Sequence, residues 1–442
     1  MKKVDIMISN GRILTLDEKG TLIEKGSVAI QGDSIVAVGA CHDVEKRFEA
    51  RDTINASKCL VMPGLVNGHT HAAMTCFRGI ADDLRLEDWL NNYIFPAEAK
   101  NVNKELVYWG TLLACAEMIR SGTTTFCDMY IFEDETARAS SKAGVRCLVG
   151  EVLFDFPSPN FKSPSEGLEY TEMLIHKWAD DPLVNIIVEP HALYTCSEGL
   201  LRDAKALADG YNVPCGIHFL ETKHERQELT KKFGKNPVQY LHDIGYLDDH
   251  LIAFHCVAMD DEDIRLFSEH GCKVIHNPES NMKLASGVAP VPDMLKKGIA
   301  VGIGTDGCAS NNNLDMFQEM DMAAKIHKAY RLDPTVMDAQ TVTMMASSRG
   351  AEALGLGRLT GSIKPGMKAD IIILDLNKPH LAPMYNEFSH LVYAAKGGDV
   401  DTVLINGRIV MKNRILTTID EEEVMRKVNE IATRIKESIH PA

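Results

Sequence analysis

Four short stretches of this sequence carry side chains able to hold a divalent cation. Pro63-Gly64-Leu65-Val66-Asn67-Gly68-His69-Thr70-His71 sets two histidines two positions apart. On a β-strand, residues i and i+2 share a face, so His69 and His71 can reach one ion from a strand end. Gly216-Ile-His218-Phe-Leu-Glu221 adds an imidazole followed by a carboxylate. Ala253-Phe-His255-Cys256 adds another imidazole, and Gly304-Thr-Asp306-Gly307 another carboxylate. Each of these residues alone is an ordinary polar side chain. Together they suit Zn²⁺ or Fe²⁺ with one position open to water.

Something must bring them together, and the surrounding text shows what. Short apolar runs recur at Leu60–Val66, Thr123–Met129, Val145–Leu153, Val184–Val188, Cys215–Phe219, Leu251–Phe254, Cys272–Ile275 and Ala300–Ile303. Helix-like segments such as Lys104–Ser121, Ser197–Tyr211 and Leu314–Tyr330 separate most of them. Strands alternating with helices over about 300 residues predict an α/β fold, a (β/α)8 TIM barrel, although a doubly wound open sheet alternates in the same way. In a barrel the C-terminal strand ends converge on one mouth. His69 and His71 would end strand one, His218 strand five, His255 strand six and Asp306 strand eight. Gly302-Ile-Gly304-Thr-Asp-Gly307 also matches a dinucleotide fingerprint, but the polar loop Ser310-Asn311-Asn312-Asn313 follows where that motif needs a helix at once.

The two ends of the chain have a different texture. Val4–Ser9, Arg12–Leu16 and a hairpin over Gly26–Gly39 read as a β-meander; Asp370–Asp375, Thr402–Ile405 and Arg408–Met411 repeat it. Neither end has enough core to stand alone. The expected organisation is residues 1–57 and 363–442 forming one small β-sandwich module around a barrel of residues 58–362, with Glu421–Ser438 an outer helix. The net charge of −15, from 47 basic and 62 acidic residues, repels polyanions, so nucleic acid and anionic membranes are excluded as partners. The start of the chain reads as a strand rather than a signal peptide, and no window offers the roughly 18 apolar residues of a membrane span. The 11 cysteines contain no Cys-x-x-Cys pair and suit reduced thiols in a cytoplasmic protein.

The Pro-Gly-Leu-Val-Asn-x-His-x-His entry, the His-x-x-Glu of strand five, the strand-six His and the strand-eight Asp resemble the amidohydrolase superfamily. The likeness extends over essentially the whole chain. Further runs narrow it: His71 through Arg78, Asp82 and Asp83, then Trp89-Leu90, Phe95-Pro96-Ala97-Glu98, Glu189-Pro-His191-Ala-Leu-Tyr194-Thr-Cys-Ser197, and His276-Asn-Pro-Glu-Ser-Asn281-Met-Lys-Leu. These are similar to the 5-methylthioadenosine/S-adenosylhomocysteine deaminase group. The resemblance implies one metal ion, zinc first and iron or manganese as alternatives, held by His69, His71, His218 and Asp306. No strand-four lysine stands ready to bridge a second metal.

The chemistry implied is hydrolytic deamination of an adenine nucleoside. The ion would lower the pKa of a water that attacks C6. Glu221 would protonate N1, Asp306 would take the water's proton, and His255 would orient the attacking oxygen. The resemblance also places Glu98 on the ribose hydroxyls, His191 against the nucleoside and Trp89 as an apolar wall; the Asp82–Asp83 run, from its place after strand one, reads as a lid or else as a solvated loop. Some members carry arginines after strand three that pair with a homocysteine carboxylate. Here that segment reads Arg146-Cys-Leu-Val-Gly-Glu151-Val-Leu-Phe154-Asp-Phe156, with no arginine beyond Arg146. The expected substrate is therefore methylthioadenosine or adenosine rather than S-adenosylhomocysteine. The alternatives are an amidohydrolase acting on guanine, cytosine or a triazine, or a silent scaffold, which the complete ligand set disfavours. The resemblance also leads one to expect a homo-oligomer.

Overall fold

Gly64 divides the first apolar run between two sheets. In the computed structural model, which describes residues 1–84 and 86–439, Cys59–Pro63 belongs to a sheet built from the chain ends, whereas Leu65–Thr70 is barrel strand one. A Cβ on Gly64 would lie 2.0 Å from Thr124 Oγ1, so only glycine lets the chain cross over so tightly. The sequence reading had taken Leu60–Val66 as one barrel strand; hydrophobicity does not register the crossover, because both halves are buried.

The barrel strands are all parallel. After strand one come Thr123–Tyr130, Arg146–Leu153, a fourth strand in two short pieces (Val184–Ile186 and Glu189–Pro190), Cys215–Phe219, Leu251–His255, Lys273–His276 and Val301–Ile303. Strands one to four form one hydrogen-bonded arc and five to eight another. The bridges Val188–Cys215 and Ala192–His218 join the arcs on one side. Intervening helices are capped by the residues that precede them: Asn103 for Lys104–Arg120, Ser197 for Glu198–Tyr211, and Asp315 for Met316–Arg331. The central region is thus the (β/α)8 barrel that the alternation predicted.

On the other side, strand eight meets strand one through side chains. Asn67 Nδ2 donates to Thr305 Oγ1 (2.8 Å), and the Thr305 N–H donates to Asn67 Oδ1 (2.9 Å). The Asp306 N–H then donates to the His69 carbonyl at 2.9 Å. Gly304 permits this closure: a Cβ there would lie 2.6 Å from the His69 nitrogen. All these groups are buried, so pairing is required. Two prospective metal ligands are locked side by side as a consequence.

The chain ends build one nine-stranded sheet. Its first strand runs unbroken over Lys2–Leu14, where the sequence suggested two; the apparent gap is a bulge at Asn10 and Gly11, with Asn10 at φ 64°. Ile371–Asp375 pairs antiparallel with Cys59–Pro63, and this joins the two ends. Ile8, Ile13, Val28, Ile30, Val61, Ile371 and Leu404 form a separate apolar core within the sheet. Glu421–Ile439 is a helix whose Val424, Val428, Ile431 and Ile435 join the barrel's core, while residues 440–442 lie outside the described residues. Among the described residues, no helix is long and apolar enough to cross a membrane.

One buried ion pair ties the sheet to the barrel. Arg146, at the start of strand three, donates from Nε to Asp370 Oδ2 (2.8 Å) and from Nη1 to the Pro182 carbonyl (2.9 Å). The Asn406 N–H donates to Asp370 Oδ1 at 2.6 Å. Both charged side chains are almost fully buried. Removing one partner strands the other charge, so Asp370→Asn should cost about 3–5 kcal/mol of stability. Denaturant unfolding of the variant checks this, and a loss below about 1 kcal/mol would contradict it.

Candidate active site

The nine side chains singled out in the sequence come together at the barrel mouth. His71, Trp89, Glu98, His191, His218, Glu221, His255 and Asp306 line one cavity of about 80 Å³. His69 lies behind them and is wholly buried. Period-two alternation carries His69 and His71 to the same side of strand one, as the spacing required.

His69 and His71 direct Nε2 toward Asp306 Oδ1, at 3.6 and 3.3 Å. Ligand atoms of His69, His71 and Asp306 lie within 4.8 Å of one another, as do those of His69, His218 and His255. The two groups share His69. Both of its ring nitrogens are buried with no hydrogen-bond partner, which an isolated protein would not leave uncompensated. A cation would supply a partner for one of these nitrogens, and the imidazole and carboxylate donors fit a divalent ion.

Hydrogen bonds behind the rings orient them. His71 Nδ1 lies 2.5 Å from the Met129 carbonyl, and His218 Nδ1 lies 3.0 Å from the His191 carbonyl. A carbonyl only accepts, so each ring carries its proton on Nδ1 and a bare lone pair on Nε2, the form that ligates metal. Burial would raise the Asp306 pKa, but without a cation His71, itself raised to about 9 by Asp306 despite its burial, donates from Nε2 and with the surrounding imidazoles holds Asp306 well below the usual carboxylate range; a bound cation would take the place of that Nε2 proton. The Ser280 hydroxyl donates to its Oδ2 at 2.6 Å.

Glu221 has the opposite electrostatics. Burial, reinforced by the negative charge of Asp306, pushes its pKa up to about 8. At neutral pH it is a carboxylic acid and can donate a proton. Helix Lys223–Phe233 is capped by Thr222, so Glu221 is not spent as a cap. Glu225 accepts from the backbone N–H groups of Leu220 and Glu221, at 3.1 and 2.7 Å, and holds this turn in place.

Glu98 stands opposite, on helix Phe95–Asn101. It accepts from the Tyr130 hydroxyl at 2.6 Å, and burial raises its pKa to about 7. His191 Nδ1 lies 2.9 Å from Thr195 Oγ1, whose own proton goes to the Ala192 carbonyl. The His191 proton is therefore on Nδ1, and its Nε2 is an acceptor. Trp89 donates its indole N–H to the Ala81 carbonyl (3.1 Å) and presents only its apolar faces to the cavity.

Leu86, Trp89, Leu90 and Ile94 line one wall of the cavity. Leu86–Trp89 is a short helix, and Leu90–Ile94 continues it as a π-helical turn. Asp82 latches this segment down: Lys283 Nζ contacts Asp82 Oδ1 and Asn312 Oδ1, each at 2.5 Å. Sequence reasoning missed Tyr130 and the side chains behind the site. Tyr130 ends strand two, so the rule that collected the histidines from other strand ends applies to it too.

Fold and site define a (β/α)8 barrel whose mouth gathers histidines and one aspartate that could hold a divalent ion. The chain belongs to the amidohydrolase family, whose sequence pattern matches residues 60–410. It is 61% identical, over 99% of both chains, to the 5-methylthioadenosine/S-adenosylhomocysteine deaminase 1 of Syntrophus aciditrophicus (strain SB). It is 44% identical to the 5'-deoxyadenosine deaminase of Methanosarcina barkeri, covering 98% of this chain and 99% of that one. A crystal structure of a Xanthomonas campestris adenosine deaminase with bound zinc superposes with a TM-score of 0.97, at 38% identity over 98% of this chain and 99% of that chain.

Loss of a ligand should empty the centre. His69→Ala and His218→Ala proteins are expected to hold clearly less metal than the unaltered chain after dialysis, because even loss of a group behind a ligand costs about 10–100-fold in affinity. Elemental analysis of the purified proteins measures this; unchanged metal content would remove the residue from the ligand set.

Proposed function

We propose that the chain hydrolyses the 6-amino group of an adenine nucleoside bearing a small or apolar 5′ group, releasing ammonia and the inosine analogue. The observation that carries the reading is Glu221: a buried carboxyl, its pKa pushed up to about 8 by that burial, in the cavity that Asp306 and the histidines share. A divalent ion held by His69, His71, His218 and Asp306 supplies Lewis acidity and lowers the pKa of a water toward neutrality. We assign zinc, on the strength of the donor set and the zinc in the 38% identical relative.

The rest of the work falls to the chain's own residues. Glu221 donates its proton to N1 as the water oxygen bonds to C6 and the ring loses aromaticity. Asp306, an ionised acceptor, takes the water's proton and returns it to the amino nitrogen. The C6–N bond then breaks and ammonia leaves; N1 keeps the proton it received, and the C6 hydroxyl gives up its proton as the carbonyl forms, which restores Glu221 through solvent. Glu98 accepts from the ribose hydroxyls, and its bond from Tyr130 fixes the carboxyl for that task. His191 Nε2 offers a further acceptor, and Trp89 and Leu284 close the apolar walls.

Support for the 5′ preference comes from the segment after strand three. Phe154 lines the cavity and stacks on Phe156 with ring centres 4.7 Å apart. Arg146 is committed to Asp370 at the other end of its strand, out of reach of a substrate carboxylate. A charged homocysteine tail would lose its hydration there without a matched partner. Methylthioadenosine, 5′-deoxyadenosine and adenosine should therefore exceed S-adenosylhomocysteine in kcat/KM by at least about tenfold, the effect of roughly 1.4 kcal/mol. Higher kcat/KM for S-adenosylhomocysteine would overturn the 5′ assignment. No ammonia from any adenine nucleoside, with release from guanine, cytosine or a triazine, would overturn the reaction itself.

Glu221→Gln should keep its metal while kcat falls at least about 100-fold, the scale of a lost general acid. Near-normal turnover would exclude the proton-donor role. For the unaltered enzyme, the protonated form of Glu221 is present below a pKa of about 8 and lost above it. Activity that depends on it should decline as pH rises through that region, and a rise there would contradict the assignment.

A further inference from the structure

The stretch His276–Leu284, singled out in the sequence only as a mark of resemblance, lies directly behind the two groups that handle the attacking water. Pro278–Lys283 forms a short helix after strand seven. Asn277 Nδ2 and Asn281 Nδ2 lie 3.2 and 3.0 Å from His255 Nδ1. All three side chains are buried. No other described group bonds that nitrogen.

As the amides are placed, both NH₂ groups face His255 Nδ1 and share its one lone pair, which makes that nitrogen the acceptor and puts the ring proton on Nε2, while the two amide oxygens are buried without a partner. His71 and His218 are the reverse: carbonyl oxygens stand behind their Nδ1 atoms and leave Nε2 bare. Geometry alone would admit His255 as a ligand, because its nitrogen falls within 4.8 Å of those of His69 and His218. A nitrogen that carries hydrogen cannot bind a cation. The group standing behind each ring thus decides its role: an acceptor behind makes a ligand, a donor behind makes a hydrogen-bond donor.

We infer that Asn277 and Asn281 are positioning residues that hold His255 as the Nε2–H tautomer, which keeps it out of the metal's coordination sphere and aims one N–H at the attacking oxygen. His255 then cannot act as the base. That task is left to Asp306, whose Oδ2 is occupied by the Ser280 hydroxyl from the same helix. His255 itself ends strand six with φ 71°, a left-handed conformation that costs energy and is held by its surroundings.

The test begins with the unsubstituted protein. With ¹⁵N-labelled histidine, metal-free and zinc-loaded, ring-nitrogen shifts should report His255 protonated at Nε2 and both His71 and His218 protonated at Nδ1. The His255 signals are assigned by their loss in His255→Gln. An Nδ1-protonated His255, as would follow if the amides were turned over, overturns the inference. The second arm is Asn281→Asp, whose carboxylate accepts only and draws the proton to Nδ1. Its kcat should fall about 100-fold with KM changed by less than about threefold. Asn277→Asp repeats the test from the other amide should the first variant not fold. A shifted proton with unchanged kcat would refute the role of His255 as donor. The kinetic arm rests on the deamination reading, whereas the shifts do not: an enzyme inactive on every nucleoside would defeat that reading and leave the tautomer to be judged by its spectrum.

Discussion

The closure of the barrel between strand eight and strand one is the constraint on which the site depends. Strand eight is only three residues long, so a backbone ladder cannot carry the joint by itself. Asn67 and Thr305 make it with reciprocal side-chain and backbone bonds, and Gly304 lets the chains approach. Asp306 then donates its N–H to the His69 carbonyl, so the same contact that shuts the barrel sets carboxylate beside imidazole. Four imidazoles crowded around one carboxylate, His71 alone of them partly exposed, are costly to assemble without a cation, and the unpartnered nitrogens of His69 show where that cost would be relieved.

Around that joint, the walls of the mouth divide the labour by electrostatics. Asp306 stays ionised because imidazoles surround it, whereas Glu221 stays protonated because burial and the charge of Asp306 both oppose its ionisation. Two carboxyl groups in one cavity are driven to opposite states, the arrangement that acid–base chemistry near neutral pH requires. Behind them, backbone carbonyls, asparagine amides and a serine hydroxyl decide which atoms of the rings and carboxylate are free. The catalytic groups are few; the groups that set their protonation are more numerous.

Legibility from the sequence varied with the distance over which each feature is decided. The barrel was visible because alternation of apolar runs and helices is local. Strands at Cys215–Phe219 and Leu251–His255 fell where hydrophobicity put them, give or take one residue. The crossover at Gly64 was invisible, since Leu60–Met62 and Leu65–Val66 on either side of it are all apolar and buried but lie in different sheets. The bulge at Asn10 likewise looked like a strand break, because a polar residue at positive φ resembles a turn in sequence. The pairing of the chain ends was anticipated from texture alone, but its register, Ile372 against Met62, was not.

Donor types and strand-end positions were determined by the sequence alone, since the i, i+2 spacing of His69 and His71 and the placing of His218, His255 and Asp306 are local properties of strands. What tertiary structure alone decided is the state of those donors. His255 takes its tautomer from amides up to 26 residues away, Glu98 is held by a hydroxyl 32 residues away, and Asn67 reaches Thr305 across 238 residues. Tautomer, ionisation and orientation depend on burial and on partners from other strands. A residue's own neighbours in sequence do not carry that information.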